Sequence, residues 1–256
     1  MKKHLDVITF GKRLIELDDL HPEYSLLWRA MTRTKDPWPK NRVRRWILAY
    51  CLFSHCGVAS MLCDYKDWDH FIDVATELGP RGKTRRYFRG RWMNQGLDYL
   101  QKNFYTPHDV ILSLIGTHDF HTLTKRIEEW PQWGTWASFK LIDMLERLGF
   151  ITARVPVNVE MDKKPTEGAA IMAKHYNYSI AEAVGVLCDK LGRFYAPPRY
   201  ERPINPLEAE TIFCKWVSHR AGKYEPGKEV RETYEELTGF GTLAKDLRQY
   251  VKVADI

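Results

Sequence analysis

Residues 41–63 constrain the fold more than any other segment of this chain. The segment begins with three arginines and is then nearly apolar on every side from Trp46 to Cys63. A helix that is apolar all round needs neighbours on all its faces, so the pattern predicts one long central helix over 41–63. No run of eighteen apolar residues occurs, and the sequence therefore predicts no membrane-spanning helix and no membrane partner.

Helical periodicity dominates the other segments as well. Helices are predicted at about 4–18, 23–33, 67–78, 84–102, 107–115, 118–129, 135–148, 165–175, 179–191, 206–220, 228–238 and 241–252. A strand is predicted only at 151–159, where Ile, Thr and alternating Val follow a glycine. The chain is therefore predicted to be mainly α-helical.

Composition indicates the kind of partner that the protein binds and the cell compartment in which it works. The net charge of +6 and nine tryptophans are compatible with an anionic, base-stacking partner such as nucleic acid. The N-terminus has no apolar segment behind its lysines, and five cysteines without a CxxC pair are expected to be free thiols, so a cytoplasmic protein is predicted. Cys51, His55, Cys56 and Cys63 have ligand chemistry, but their apolar neighbours predict a buried helix with His55 as a satisfied core residue.

Residues 130–147 contain a turn that runs directly into an amphipathic helix. Pro131 and Gly134 favour a tight turn, and the first amides of the following helix attract anions such as phosphate. The Pro-x-aromatic-Gly spacing resembles the helix-hairpin-helix element with which DNA glycosylases grip a DNA backbone. An ordinary helical connection with an aromatic core is the alternative. The resemblance assigns DNA contacts to Trp133, Gly134, Thr135 and Trp136.

The helix after this turn carries a charged stripe. Trp136, Lys140, Asp143 and Arg147 recur at helical spacing opposite an apolar stripe. A carboxylate between two cations could orient or deprotonate a nucleophile, which makes Asp143 and Lys140 candidate catalytic residues. The alternative is a surface salt-bridge ladder of little energetic value.

Residues 79–91 form a second candidate site, because six of these thirteen residues are basic. Two glycines and a proline precede Thr84, a good N-cap, and a helix is predicted to follow. Guanidinium groups beside open helix amides suit a dense anion such as pyrophosphate. A solvated basic helix lying along DNA is the alternative. The pyrophosphate-binding candidates are Arg85, Arg86 and Arg89.

Taken together, the segments 79–90 and 133–147 resemble the alpha-glutamyl/putrescinyl thymine pyrophosphorylases, or amino acid:DNA transferases, of phages. The resemblance runs from about Arg42 to Arg154. It implies a two-lobed helix-hairpin-helix fold like that of DNA glycosylases, with 41–149 as the hairpin-bearing bundle and 1–40 with 150–256 as the second helical lobe. The implied partners are double-stranded DNA carrying a modified thymine and a small amine or amino acid.

The implied reaction replaces the pyrophosphate of 5-pyrophosphoryloxymethyluracil in DNA with an amine. In this scheme the thymine leaves the base stack. The arginine cluster binds the leaving pyrophosphate. Asp143, whose position is set by Lys140, orients or deprotonates the incoming amine. No metal or organic cofactor is required, although a cation could sit at the hairpin or on the pyrophosphate.

One departure from the glycosylase pattern favours this chemistry over base excision. Where those enzymes carry a catalytic aspartate beyond the hairpin, this chain has Arg154. A DNA glycosylase or lyase that uses Glu160, Asp162 or Asp143 stays an alternative, as does a non-catalytic DNA-binding module.

Overall fold

A computed structural model describes residues 5–78, 91–153 and 155–253, apart from the side chains of 91–94. The described residues are mainly helical, which confirms the predicted fold class. None of the described helices has both the length and the apolar character needed to cross a bilayer. The helices are α1 Val7–Glu16, α2 Pro22–Thr32, α3 Lys40–Phe53, α4 Cys56–Leu62, α5 Trp68–Leu78, α6 Arg91–Asn103, α7 Pro107–Leu112, α8 Phe120–Glu128, α9 Thr135–Arg147, α10 Lys163–Tyr176, α11 Ile180–Leu191, α12 Pro206–Arg220, α13 Lys228–Glu236 and α14 Gly241–Arg248.

The chain divides into two compact units. Among the described residues, the first unit comprises 5–22, 155–231 and 252–253, and the second comprises 23–78, 91–153 and 232–251. In the first unit α1, α10, α11 and α12 surround an apolar core that includes Phe10, Leu187 and Phe213. A Cβ on Gly168 of α10 would lie 2.8 Å from the carbonyl oxygen of Phe213 in α12, so these helices approach closely because the glycine has no side chain.

A buried carboxylate organises the N-terminus of α13 within the first unit. Asp19 accepts hydrogen bonds from the Tyr224 hydroxyl at 2.8 Å and from the backbone N–H groups of Gly227, Glu229 and Val230. These amides lie before and within the first turn of α13, where helices lack internal acceptors. Burial raises the pKa of Asp19, and the nearby Lys215 ammonium opposes that rise.

In the second unit α9 is the most enclosed helix. Every residue from Ala137 to Arg147 is buried, including the side chains predicted to form a separate charged stripe. Helices α3 and α8 pack against α9, and α3 also packs against α4 and α7. The 41–63 segment was predicted to form the central helix, and in the structure α3 and α9 are both central to the second unit.

The single helix predicted over 41–63 is wrong, because the segment is broken between α3 and α4. Ser54 takes a left-handed conformation with φ 48° and ends α3. His55 then starts α4, and its Nδ1 accepts the Val58 N–H at 3.2 Å, which confirms His55 as a satisfied buried residue. The Cys56 N–H donates to Glu236 at 2.8 Å, so a side chain distant in sequence stabilises the new helix start.

The strand predicted at 151–159 is also wrong. Residues 151–153 and 155–159 are irregular, with a turn at 157–158. Ile151, Ala153 and Val159 are buried but Val157 is 50 % exposed, so the alternating positions do not share one inward face. A strand needs a ladder partner, and the described residues contain no β-strand; Pro156 also lacks an N–H to donate.

Two helical glycines in the first unit give a matched test of this packing. Gly168→Ala should lower the free energy of unfolding by about 1–3 kcal/mol, because its Cβ would overlap Phe213. Gly185→Ala in α11 should raise it by about 0.5–1 kcal/mol, since no atom lies within 4 Å of the new methyl group. Urea denaturation of both variants measures the two changes. Equal stability of Gly168→Ala and wild type would contradict the close approach of α10 and α12.

Candidate functional site

The charged side chains of α9 lie inside the second unit. Lys140, Asp143 and Arg147 are 7 %, 1 % and 3 % exposed, so the surface salt-bridge ladder is excluded. Charges are removed from water only at a high free-energy cost unless they are paired and hydrogen-bonded. The partners of these groups therefore decide what the cluster can do.

Two other helices supply partners for α9. The Lys140 Nζ donates to Glu23 Oε1 at 2.9 Å, and the Tyr50 hydroxyl donates to the same oxygen at 3.0 Å. The Tyr24 hydroxyl donates to Asp143 Oδ2 at 2.8 Å. Glu23 and Tyr24 lie in the first turn of α2, and Tyr50 lies in α3. These contacts define a buried cluster of two carboxylates, two cations and two phenols, here called the α9 cluster: Glu23, Tyr24, Tyr50, Lys140, Asp143 and Arg147.

Tyr24 is held between the two cations of the α9 cluster. The Lys140 ammonium lies 4.5 Å and the Arg147 guanidinium 4.7 Å from the centre of the Tyr24 ring. Burial, followed by the negative charges of Asp143 and Glu23, raises the pKa of Tyr24 well above its ordinary value. Tyr24 therefore stays a neutral phenol and donates its proton to Asp143 in a hydrogen bond. This fixes the orientation of the carboxylate.

The neighbouring thiol is not a nucleophile at neutral pH. Cys56 is fully buried, and desolvation together with the charges of Glu236 and Glu23 raises the pKa of its thiol well above the usual value. Burial also raises the pKa of Cys63, to about 12. Since the thiolate is the reactive and metal-binding form, these residues favour structural roles.

The turn between α8 and α9 has buried aromatic side chains and an exposed tip. Trp130 and Trp133 are buried and meet edge to face, with ring centres 5.3 Å apart. Gln132 has φ 73°, a left-handed conformation that favours glycine. Gly134 is exposed, has an ordinary extended conformation and is the N-cap of α9, to which it brings no side-chain acceptor.

The predicted DNA-contacting residues therefore differ in which of their atoms are accessible to DNA. The Trp133 ring belongs to the core and only its backbone borders the turn, whereas Trp136 is 36 % exposed. Gly134 and Thr135 bring the first amides of α9 to the tip of the turn. A Cβ at Gly134 would meet nothing within 4 Å, so the strained position of the turn is Gln132 and not this glycine.

Sequence reasoning found half of the α9 cluster. Lys140, Asp143 and Arg147 were recognisable from their spacing on one helix. Glu23 and Tyr24 were missed, because an acidic residue after a proline at a helix start is explained by the helix dipole alone. The arginine cluster of Arg85, Arg86 and Arg89 lies outside the described residues.

Comparison with known proteins gives a consistent result. A sequence profile of the family described as amino acid:DNA transferase matches residues 25–224, a longer stretch than the resemblance recognised between Arg42 and Arg154. The chain is 29 % identical to a glycinyltransferase of Pseudomonas phage PaMx11 over 283 aligned positions, which cover 96 % of this chain and 94 % of the relative. It is 26 % identical to a putrescinyltransferase of Delftia phage PhiW-14, over 95 % of this chain and 82 % of that protein.

These matches span nearly the whole chain and agree on the class of reaction. They confirm the prediction of a DNA-modifying transferase, and they favour it over the glycosylase and the non-catalytic binding module. The chain belongs to the amino acid:DNA transferase family.

Proposed function

We propose that this protein replaces the pyrophosphate of 5-pyrophosphoryloxymethyluracil in double-stranded DNA with a small amine or amino acid. The observation that carries the proposal is the buried carboxylate Asp143, oriented by the Tyr24 phenol in a protein of this family. The reaction takes place where the DNA is, in the cytoplasm of the cell.

The names of the two relatives indicate which class of molecule acts as the nucleophile. One relative is named for glycine and the other for putrescine. These two molecules share an amine, and putrescine has no carboxyl group. A common reaction therefore forms its new bond through nitrogen, and an amine is the co-substrate class proposed for this chain.

The proposed step exchanges one bond at the 5-methylene carbon of the extruded base. The nitrogen lone pair forms the new carbon–nitrogen bond, and the carbon–oxygen bond to pyrophosphate breaks with its electron pair leaving on oxygen. Asp143 takes the proton that the ammonium form loses before attack, and the product amine keeps the proton left on its nitrogen. Departure of pyrophosphate before attack, through an exocyclic methylene intermediate, has the same atom and charge balance. No metal or organic cofactor is needed for either order, and a cation on the pyrophosphate would assist both.

Asp143 suits the proton transfer for two reasons. An alkylamine is protonated at neutral pH and must lose a proton before it can attack. The near-complete burial of Asp143 keeps bulk water away from the carboxylate, which favours the amine over water as the nucleophile once the cluster opens to the bound substrate. Lys140, held by Glu23 at 2.9 Å, sets the charge around the carboxylate.

The other proposed roles belong to DNA and leaving-group contacts. Arg85, Arg86 and Arg89 bind the pyrophosphate and stabilise the charge that grows on it. The N-terminus of α9, at Gly134 and Thr135, faces a backbone phosphate, with the backbone of Trp133 and the exposed ring of Trp136 beside it.

The substrate proposal is tested with a panel of amines. DNA containing 5-pyrophosphoryloxymethyluracil is incubated with the protein and glycine, glutamate or putrescine, digested to nucleosides and analysed by mass spectrometry. We expect a thymidine derivative that carries one amine at the 5-methylene carbon, with one pyrophosphate released for each. Release of free base would support a glycosylase, and binding without turnover would support a DNA-binding module.

Tyr24→Phe tests the orientation of Asp143. The ring is retained, but the carboxylate loses a donor, so kcat should fall about tenfold and the acidic limb of its pH profile should move to higher pH. The affinity for duplex DNA should not change. Steady-state rates between about pH 4 and 10, which spans the ordinary titrations of a carboxylate and an alkylamine, measure both kcat and its pH dependence. Tyr105→Phe, at a position 93 % exposed in the same unit, is the control. A lower melting temperature with a wild-type kcat and pH profile would make Tyr24 a structural residue only.

Arg89→Ala tests the leaving-group assignment. Loss of a donor to developing charge should lower the maximal rate on the order of a hundredfold, while the affinity for unmodified DNA stays near wild type. Rates at saturating pyrophosphorylated DNA are compared with binding to plain duplex. A normal maximal rate with weakened binding to plain DNA would place Arg89 on the DNA backbone instead.

A further inference from the structure

A cavity of about 300 Å³ opens in the first unit, apart from the α9 cluster in the second. Its volume is at the lower end of the range of about 300–1,000 Å³ found for small-molecule sites. The cavity has an apolar floor and a polar, aromatic rim. The floor is formed by Leu5, Val7, Ile171, Met172 and Trp216, and the rim includes His175, Tyr176 and Arg220.

Three aromatic rings contact one another at the rim of this cavity. The rings of Tyr178 and Tyr176 stack with centres 5.9 Å apart and an interplanar angle of 21°. Tyr176 then meets His175 edge to face at 4.6 Å. Tyr176 and Tyr178 are 47 % and 41 % exposed, so the stacked pair is accessible from solvent.

Trp216, which also lines the cavity, is held in place. The Trp216 indole N–H donates to the Leu5 carbonyl at 3.0 Å, which fixes the plane of the ring. The exposed Arg220 guanidinium lies 5.0 Å from the centre of the same ring. The rim therefore places an exposed cation beside aromatic surface, with Arg220 able to meet a phosphate.

The cavity does not suit the amine co-substrate. Asp6 is the carboxylate among its lining residues, and it already accepts hydrogen bonds from the N–H groups of Ile8 and Thr9 at 3.0 Å and from the Thr9 hydroxyl at 2.7 Å. That carboxylate caps α1. A flat, apolar ligand with a negative charge fits the lining better than a small cation does.

We propose that this aromatic face, formed by His175, Tyr176, Tyr178, Trp216 and Arg220, binds an unpaired nucleotide of the DNA strand. Aromatic side chains interleaved with arginine are the usual means of binding single-stranded nucleic acid, because every base has a face that can stack. Bases inside a duplex cannot reach such a surface, whereas a strand opened by extrusion of a base can. The inference rests on the proposed function in one respect, namely that DNA is the substrate.

The test compares single-stranded and duplex DNA by fluorescence anisotropy. Tyr176→Ala should weaken binding of a labelled oligothymidylate about tenfold or more, whereas Tyr176→Phe should bind it like wild type. Arg220→Ala should weaken the same complex and reduce its salt dependence. Tyr195→Ala, at an exposed position of the same unit outside the cavity, is the control and should have no effect.

The outcomes separate this inference from the proposed function. If wild type binds duplex but not the oligothymidylate, or if Tyr176→Ala and Arg220→Ala bind it as wild type does, the aromatic face is not a nucleotide site. Either result leaves the transferase proposal intact. If wild-type protein neither binds DNA nor turns over the pyrophosphorylated substrate, the proposed function itself is wrong. Melting temperatures of the variants confirm that each one is folded.

Discussion

The ion pair between Lys140 and Glu23 is the interaction on which the second unit most depends. It joins the mostly buried helix α9 to the first turn of α2, and both side chains are almost completely removed from water. Loss of either partner would leave an uncompensated buried charge, which typically costs about 3–5 kcal/mol. Apolar residues could fill the same space at no greater cost, so stability alone does not explain why a charged cluster occupies the core.

The chemistry of the α9 cluster gives a functional reason for its charges. The Tyr24 phenol is kept neutral by burial and by the carboxylates, and it orients Asp143 through a 2.8 Å hydrogen bond. An oriented carboxylate in a dry interior is suited to accept a proton from an amine, and amine transfer is the reaction proposed for this protein. The positions of the proposed catalytic groups therefore depend on the packing of the core.

The first unit is stabilised differently. Asp19 ties α13 to the end of α1 through backbone amides, and Gly168 allows α10 to lie against α12. Gly168 lets α10 and α12 pack closely, and the C-terminal ends of these helices carry Tyr176 and Arg220 of the proposed nucleotide site. The proposed site is therefore exposed but lies on closely packed helices.

The sequence by itself determined the helical class, the resemblance to the amino acid:DNA transferases and the charged side of α9. Each of these follows from local periodicity or from residue types at fixed spacing. Tertiary structure decided that Asp143 is bonded to Tyr24, which lies 119 residues earlier, and that Glu236 caps the helix beginning at Cys56. It also decided that residues 151–159 form no strand and that the 41–63 segment breaks at Ser54. Local pattern fixes which residues form a helix and which face is apolar, but the partner of a buried charge depends on which helices pack together, and spacing along the chain does not encode that choice.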